Sequence, residues 1–305
     1  MPDPTALPDA ARDAILGWYR RNGRSLPFRR TSDPYAVLVS EAMAQQTQAA
    51  RAAEAWVRFI ERFPTVEVLA AASPADVLRA WQGLGYNRRA LNLQRAARQV
   101  VERHGGRVPA DLESLEALPG VGPYTARAVA AIAFGTPIGA VDTNVRRVLG
   151  RMVAGGAEAM TAAELQRVAN AAVPIDRPAD WTHALMDLGA SICRPRRPAC
   201  DACPAREWCA FARGVRPLAA DRSGAPARAS SAAFTSTSRW LRGRIVDRLR
   251  SVPDGAWTRV HGPLGEHDEA AVAAALAALA ADGLIELGAR SSAASSGRLA
   301  RLSTS

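Results

Sequence analysis
The chain has 305 residues, 48% of them hydrophobic, enough for one large or two modest domains with a sizeable core. Its formal net charge of +10 and pI near 10.7 favour a polyanionic partner. All 39 basic residues are arginine, so no side-chain amine is available for a Schiff base and every mechanism needing a nucleophilic lysine is excluded.

Residues 1–30 are charged and broken by prolines, and no apolar run is long enough to span a bilayer. The expectation is a chain with no signal peptide and no membrane partner, at work in a reducing cytoplasm. A helix is predicted over 8–21, on the spacing of Ile15, Leu16, Trp18 and Tyr19. Asp33-Pro34 opens a second, through about residue 49, with Pro34 suited to a first turn. Further helical segments follow near 51–62, 74–81, 86–103 and 111–117. Strand-like alternation is scarce over the first 217 residues, so this part reads as nearly all α.

Between 117 and 134 a helix ends at Leu118-Pro119, a Gly120-Val121-Gly122 turn follows, and an apolar helix starts at Pro123-Tyr124. Gly120 and Gly122 allow positive φ and close backbone approach. Such a hairpin can aim N–H groups at a phosphate and grip a nucleic-acid backbone without reading its sequence; a plain helical turn with glycine caps is the simpler reading. Asp142 follows the apolar Ile138-Gly139-Ala140-Val141 and precedes a helix, where an aspartate commonly caps.

The four cysteines, Cys193, Cys200, Cys203 and Cys209, fall within 17 residues, spaced C-x6-C-x2-C-x5-C. Four thiolates at such spacing suit a [4Fe-4S] cluster, one per iron. A tetrahedral zinc usually takes two C-x2-C knuckles where this pattern has one, and two disulfides suit a secreted chain.

Residues 218–236, rich in Ala, Ser, Arg and Gly, read as a linker. Beyond it come an amphipathic helix over 238–250 (Leu241, Ile245, Leu249), an alanine-rich helix over 267–281, and strands near 284–287 and 298–302. The order resembles a winged helix. The predicted organisation is therefore residues 1–217 as a helical domain with the cysteine loop, 218–236 as linker, and 237–305 as a small α+β domain.

Five motifs stand in one order: Ser40-Glu41-Ala42-Met43-Ala44-Gln45-Gln46-Thr47-Gln48, Gly83-Leu84-Gly85-Tyr86, Leu118 through Thr125, Val141 through Val148, and the cysteine cluster. Together, over about residues 10–215, they resemble the helix-hairpin-helix DNA glycosylases with an iron–sulfur loop, and within them the MutY family of adenine DNA glycosylases. The resemblance implies a two-lobed, mostly α fold, with about 34–140 in one lobe and the N-terminus with 143–217 in the other. It implies double-stranded DNA holding a mispaired adenine as partner, a monomer working on the bacterial nucleoid, and a [4Fe-4S] cofactor on Cys193, Cys200, Cys203 and Cys209 that stabilises a basic loop and breaks no bond.

Base removal passes through an oxocarbenium-like state, and adenine leaves only when protonated, so the chemistry calls for a proton donor and a stabilising anion. By resemblance Glu41 is the acid, and its apolar neighbours Val37, Leu38 and Ala44 would raise its pKa. Asp142 is the electrostatic partner and Asn144 its support. Tyr124 stands where the strand-cleaving endonuclease III relatives carry a nucleophilic lysine, which implies hydrolysis without strand cleavage. Gln45, Gln46 and Tyr86 resemble residues that wedge into the duplex. Gly120, Gly122 and Arg146 are further DNA-binding candidates. Arg24, Leu26, Phe28, Arg29 and His183 match the base pocket.

The chain departs from the family at Phe28, where tryptophan is frequent, and at His183, where Gln or Glu is. Thr143 replaces a glycine, and Asn87 replaces a second tyrosine. The chain reads as a shortened form, without the β-rich C-terminal domain that reads 8-oxoguanine in many family members, so that recognition is expected from residues 45–48 and 86 or from Phe234–Ser238. The alternatives are a thymine glycosylase acting on T·G mismatches, and a non-catalytic iron–sulfur regulator that binds DNA. Retention of Glu41 and Asp142 opposes the second.

Overall fold
The computed structural model describes residues 7–215, 233–288 and 297–304. Among these, thirteen α-helices precede or surround one small antiparallel sheet, a mostly α architecture. The chain divides into two compact units, one built from Met1–Glu41, Pro109–Ala117 and Val121–Ala225, the other from Ala42–Val108, Leu118–Gly120 and Pro226–Ser305. The resemblance assigned about 34–140 to one lobe; of these, 34–41, 109–117 and 121–140 group instead with the N-terminus and 143–215. The physical reason is packing: helices over Leu112–Glu116 and Pro123–Ala133 lie against each other, and the second lies against Pro178–Ser191.

The first unit is organised around that last helix. Numbered in chain order, its main helices are α1 (Asp9–Asn22), α8 (Pro123–Ala133), α9 (Thr143–Ala154), α10 (Ala162–Ala172) and α11 (Pro178–Ser191). α11 packs on α1, α8 and α9, burying Ile15, Leu16, Val145, Leu149, Trp181 and Leu188 in one core. Such apolar side chains at helical spacing contribute roughly 1.5–3 kcal/mol each when fully buried. α10 starts at a complete capping box, Thr161 and Glu164 each satisfying the other's backbone N–H.

The helix predicted from 33 through about 49 ends early, and the next, α3 (Ala49–Arg62), is the one predicted near 51–62. α2 (Pro34–Ala44) begins where the Asp33 carboxylate accepts from the Tyr35 and Ala36 amides, and stops before Gln46, whose φ of +54° no helix accommodates. In the hairpin turn Gly120 takes up the positive φ that glycine allows (+80°), while Gly122 sits at φ −101° as the N-cap of α8.

In the second unit α4 (Val66–Ala71) and α5 (Pro74–Ala80) pack on α6 (Arg88–His104), around Phe59, Leu69, Leu78, Trp81 and Val100. The C-terminal segment belongs to this unit. α12 (Ser238–Arg250) and α13 (Glu269–Ala281) cover a sheet of β1 (Thr258–Val260), β2 (Ile285–Leu287) and β3 (Arg298–Leu302), in the order β1-β3-β2, all antiparallel. β1 escaped the sequence reading because Thr258-Arg259-Val260 buries only Val260 and carries no apolar run like that of β2. α12 and β3 pack against α5; Arg250 donates to the Leu78 carbonyl and the Asn87 side chain at 2.8 Å each, and Arg79 pairs with Asp254 at 2.8 Å. The predicted linker lies largely outside the described residues; its last part, Phe234–Ser236, forms a 3-10 turn.

Candidate active site
Glu41 stands on a turn of α2 where every residue from Tyr35 to Ser40 is buried, and is itself only 8% exposed. Burial disfavours its charged form and pushes the carboxyl up to about 7. The Tyr124 hydroxyl, which hydrogen-bonds it, pulls the value down; the negative charge of Asp142 pushes it up, and the Arg29 guanidinium pulls it down. Tyr124, in the first turn of α8, also lies 4.0 Å from the Met186 sulfur, and its own proton is held well above the ordinary tyrosine range by burial and by the charges of Glu41 and Asp142. Two carboxyl groups 101 residues apart thus act on one phenol.

Asp142 caps α9. Its Oδ1 accepts from the Val145 amide at 2.7 Å, and its Oδ2 from the Asn144 side-chain amide at 2.9 Å. Asn144 is held in turn by Arg147, whose Nη2 donates to Asn144 Oδ1 at 2.8 Å and to the Gly189 carbonyl at 2.7 Å, while its Nε donates to the Cys193 carbonyl at 2.6 Å. Gly189 makes room: a Cβ there would fall 2.6 Å from the Asn144 Cβ. The capping interaction orients the carboxylate at a helix N-terminus. Arg146 lies in the first turn of α9, partly exposed.

Three of the five candidate base-pocket residues, Arg24, Arg29 and His183, gather around Asp187, which the sequence reading missed. Arg29, on the 3-10 turn Pro27–Arg30, makes a bidentate pair with it at 2.7 and 2.8 Å, and Arg24 adds its backbone N–H at 2.9 Å and its Nε at 2.7 Å. Burial alone would raise the Asp187 carboxyl, but the two guanidinium groups more than offset it and hold it below the ordinary range. His183, one helical turn earlier on α11, is buried; desolvation, with Arg29, pushes its pKa down to about 3, so the ring is neutral. It lies 6.4 Å from the Tyr19 ring. Leu26 is buried and Phe28 partly so. An aspartate on the apolar run Ala184-Leu185-Met186-Asp187-Leu188 was the available signal: a charge on a buried helix face demands a partner.

Gln45, Gln46, Tyr86 and Gly120 belong to the other unit. There Arg89 organises two of the motifs. It donates to the carbonyls of Ala42 (2.9 Å), Gln45 and Leu84 (3.0 Å), and lies over the rings of Trp81 (5.5 Å) and Tyr86 (5.6 Å). Gln46 and Tyr86 both have positive φ, +54° and +45°, and Tyr86 is 40% exposed. Gly120 cannot be replaced without a clash, since a Cβ would lie 2.8 Å from the Asn92 Cβ.

Cys193, Cys200, Cys203 and Cys209 are free and line one pocket with Arg151, Arg206 and Phe211. Arg151 donates to the Cys193 sulfur at 3.4 Å and to the Arg194 and Pro195 carbonyls at 2.8 and 2.7 Å. Burial pushes the Cys203 thiol up to about 11. Among the described residues, no group of three or more His, Cys, Asp or Glu side chains is arranged to hold a single metal ion. The loop between Cys193 and Cys200 exposes Arg194, Arg196 and Arg197.

Comparison with known proteins sets this geometry in a family. Residues 39–171 match the model of the HhH-GPD superfamily base excision DNA repair proteins. The adenine DNA glycosylase of Mycobacterium tuberculosis is 43% identical over 257 residues, covering 82% of this chain and 83% of that protein. This chain belongs to that family. The human adenine DNA glycosylase is 43% identical over 212 residues, 66% of this chain and 39% of the human protein. Among solved structures, a thermostable thymine-DNA glycosylase aligns with a TM-score of 0.63 at 32% identity, over 67% of this chain and 95% of its own. No helix among the described residues is long and apolar enough to cross a membrane.

Proposed function
We propose that this chain is a monofunctional DNA glycosylase that hydrolyses the N-glycosidic bond of adenine mispaired with 8-oxoguanine or guanine in double-stranded DNA. One observation carries the reading: a buried Glu41 carboxyl with its pKa near 7, hydrogen-bonded by Tyr124 and in the field of an anionic Asp142. An acid poised at neutral pH beside a fixed anion is the pair that glycoside cleavage needs.

Extrusion of the adenine costs a few kcal/mol, least at a mismatch. Glu41 gives its proton to a ring nitrogen of the adenine, and the bonding pair of the glycosidic bond leaves with the base. Asp142 stabilises the positive charge left on the sugar. Its hydrogen bonds from Val145 and Asn144 keep it in place while the charge develops. Water then adds its oxygen to the sugar carbon and releases a proton. Tyr124 in place of a lysine, in a chain without lysine, leaves no side-chain amine at the site to form a Schiff base and cut the strand. Arg24 and Arg29, fixed on Asp187, and the neutral His183 wall the base pocket.

The four thiols fit a [4Fe-4S] cluster: the donor set is all sulfur, the four line one pocket, and Arg151 is at hand to offset thiolate charge. A four-iron cube takes one thiolate per corner and needs a broader pocket than one ion does. When bound, the cluster would fix the 193–209 loop; the arginines of that loop would contact phosphate.

The experiment is incubation with duplexes holding A·8-oxoguanine, A·G or T·G, followed by alkali. Scission at A supports the proposal. Scission at T alone, the reading that the thymine-DNA glycosylase neighbour would favour, or none, rejects it.

A further inference from the structure
The turn that joins α5 to α6 combines a mobile composition with one fixed shape. Three of its residues, Gly83, Gly85 and Tyr86, have positive φ (+86°, +67° and +45°). A Cβ added at Gly83 or Gly85 would meet nothing within 4 Å, so close packing does not impose the glycine conformations. Glycine has the most backbone freedom to lose, and positive φ at a tyrosine is a strained state that persists only where the surroundings enforce it. From inside, Trp81 donates to the Gly85 carbonyl at 3.2 Å and Arg89 to the Leu84 carbonyl at 3.0 Å. From outside, the hold comes from α12, 153 to 172 residues further along the chain.

Arg250, in the last turn of α12, is the centre of that hold. Its side chain is 5% exposed, and each of its three nitrogens has an acceptor at 2.8 Å: Nε donates to the Leu78 carbonyl, Nη2 to Asn87 Oδ1 and Nη1 to Asp247 Oδ1. Leu78 lies in the last turn of α5, where carbonyls left bare by the helix end favour a cation. Asn87 is the N-cap of α6. An asparagine there ordinarily turns its side-chain oxygen to its own helix; this one makes no such bond and gives the oxygen to Arg250. One guanidinium therefore ties the end of the helix before the turn to the start of the helix after it. The residue following each anchor makes an ion pair with the same C-terminal domain, Arg79 with Asp254 at 2.8 Å and Arg88 with Asp282 at 3.6 Å. Arg239 reaches the tip of the turn and donates to the Tyr86 hydroxyl.

We propose that Arg250 is a positioning residue for mispair binding: by stapling Leu78 to Asn87 it makes the C-terminal domain a brace that keeps the 83–87 turn in its DNA-competent form. The inference rests on the adenine-glycosylase reading, in which Tyr86 enters the duplex. Asn87, where the chain departs from the family, and the small C-terminal domain then belong together as the two halves of one contact. The consequence falls on affinity. When only a fraction of the molecules holds the competent turn, Kd rises in inverse proportion to that fraction, and the chemistry at Glu41 is untouched. A hydrogen bond from a charged donor is worth about tenfold to a hundredfold in such an equilibrium.

The test uses the full chain. Arg250→Met keeps the stem and removes the fork; Asn87→Ala removes the acceptor and takes no cap bond from α6. Each is expected to speed hydrogen exchange of the 83–87 amides by about tenfold or more in the free protein, read by mass spectrometry. Each should weaken Kd by about tenfold or more for a duplex carrying uncleavable 2′-fluoro-2′-deoxyadenosine opposite 8-oxoguanine. Adenine release from the ordinary duplex at saturating enzyme should hold within about twofold. The double variant should bind no more weakly than the weaker single, since both cut the same bond. Asn87→Asp, which keeps an acceptor, should exchange as slowly as the parent. Should Arg250→Met fail to fold, Asn87→Ala, which leaves the Leu78 and Asp247 bonds in place, decides alone. Parental Kd despite faster exchange, exchange unchanged in the folded variants, or additive losses in the double variant overturns the proposal. No adenine release by the parent sinks the glycosylase reading, and the exchange rates then still decide on the staple. Release by the parent with parental Kd in both variants sinks the staple alone.

Discussion

The proton on Glu41 sets the pH profile. With its carboxyl at about 7, the fraction holding a proton falls from about 0.9 at pH 6 to about 0.1 at pH 8, so single-turnover adenine release should fall about tenfold across that interval. The neighbours fix the direction in which variants move the curve. Tyr124→Phe removes a hydrogen bond that stabilises the carboxylate. Such a bond to a charged group is worth about 1.5–3 kcal/mol and one pKa unit about 1.4 kcal/mol, so the alkaline limb should move up by about one unit or more. Asp142→Asn removes a negative charge that holds the proton on, so the limb should move down. The second variant should also lose roughly a hundredfold or more in rate at every pH, because the sugar cation loses its counter-charge. The assay is quenched-flow measurement of abasic sites at saturating enzyme, from pH 5 to 9. A parent profile flat between pH 6 and 8, or two variants shifting the same way, refutes the assignment of Glu41 as acid.

Asp187→Asn leaves Arg29 buried without its counter-ion, which should cost about 3–5 kcal/mol and lower the unfolding temperature at neutral pH. Asp187 titrates below its ordinary value, so its contribution is complete above about pH 4 and lost on acidification, and the parent and variant should converge there. Gly189→Ala drives a methyl against Asn144 and so disturbs Asp142; base release should slow about tenfold or more while the Kd for uncleavable duplex holds. Cys203→Ser should abolish the brown colour of the purified protein and lower its iron from about four per chain, measured by elemental analysis.

The settings of two site residues were legible in local sequence, while their catalytic roles came from the resemblance. The apolar run before Glu41 announces a buried carboxyl, and Asp142 followed by a helix announces a cap. What the sequence hid is what folding brings together from afar. Asp187 meets Arg29 across 158 residues and Arg24 across 163, and no local pattern marks those pairs. Arg89 reads as one more arginine of an amphipathic helix, yet its fork ties the 42–45 carbonyls to the 84–86 turn. The grouping of α8 with the N-terminal helices was missed because it depends on which faces of α8 and α11 pack. The winged-helix order of the C-terminal segment was readable from its helices and two strands; its attachment to α5 through Arg250 was not.

The most direct measurement is mass-spectrometric detection of free adenine released from an A·8-oxoguanine duplex by the parent and by Glu41→Gln, with Kd measured alongside. A buried general acid at Glu41 predicts adenine from the parent alone, with both proteins binding the duplex alike. Comparable adenine from the glutamine variant would contradict it.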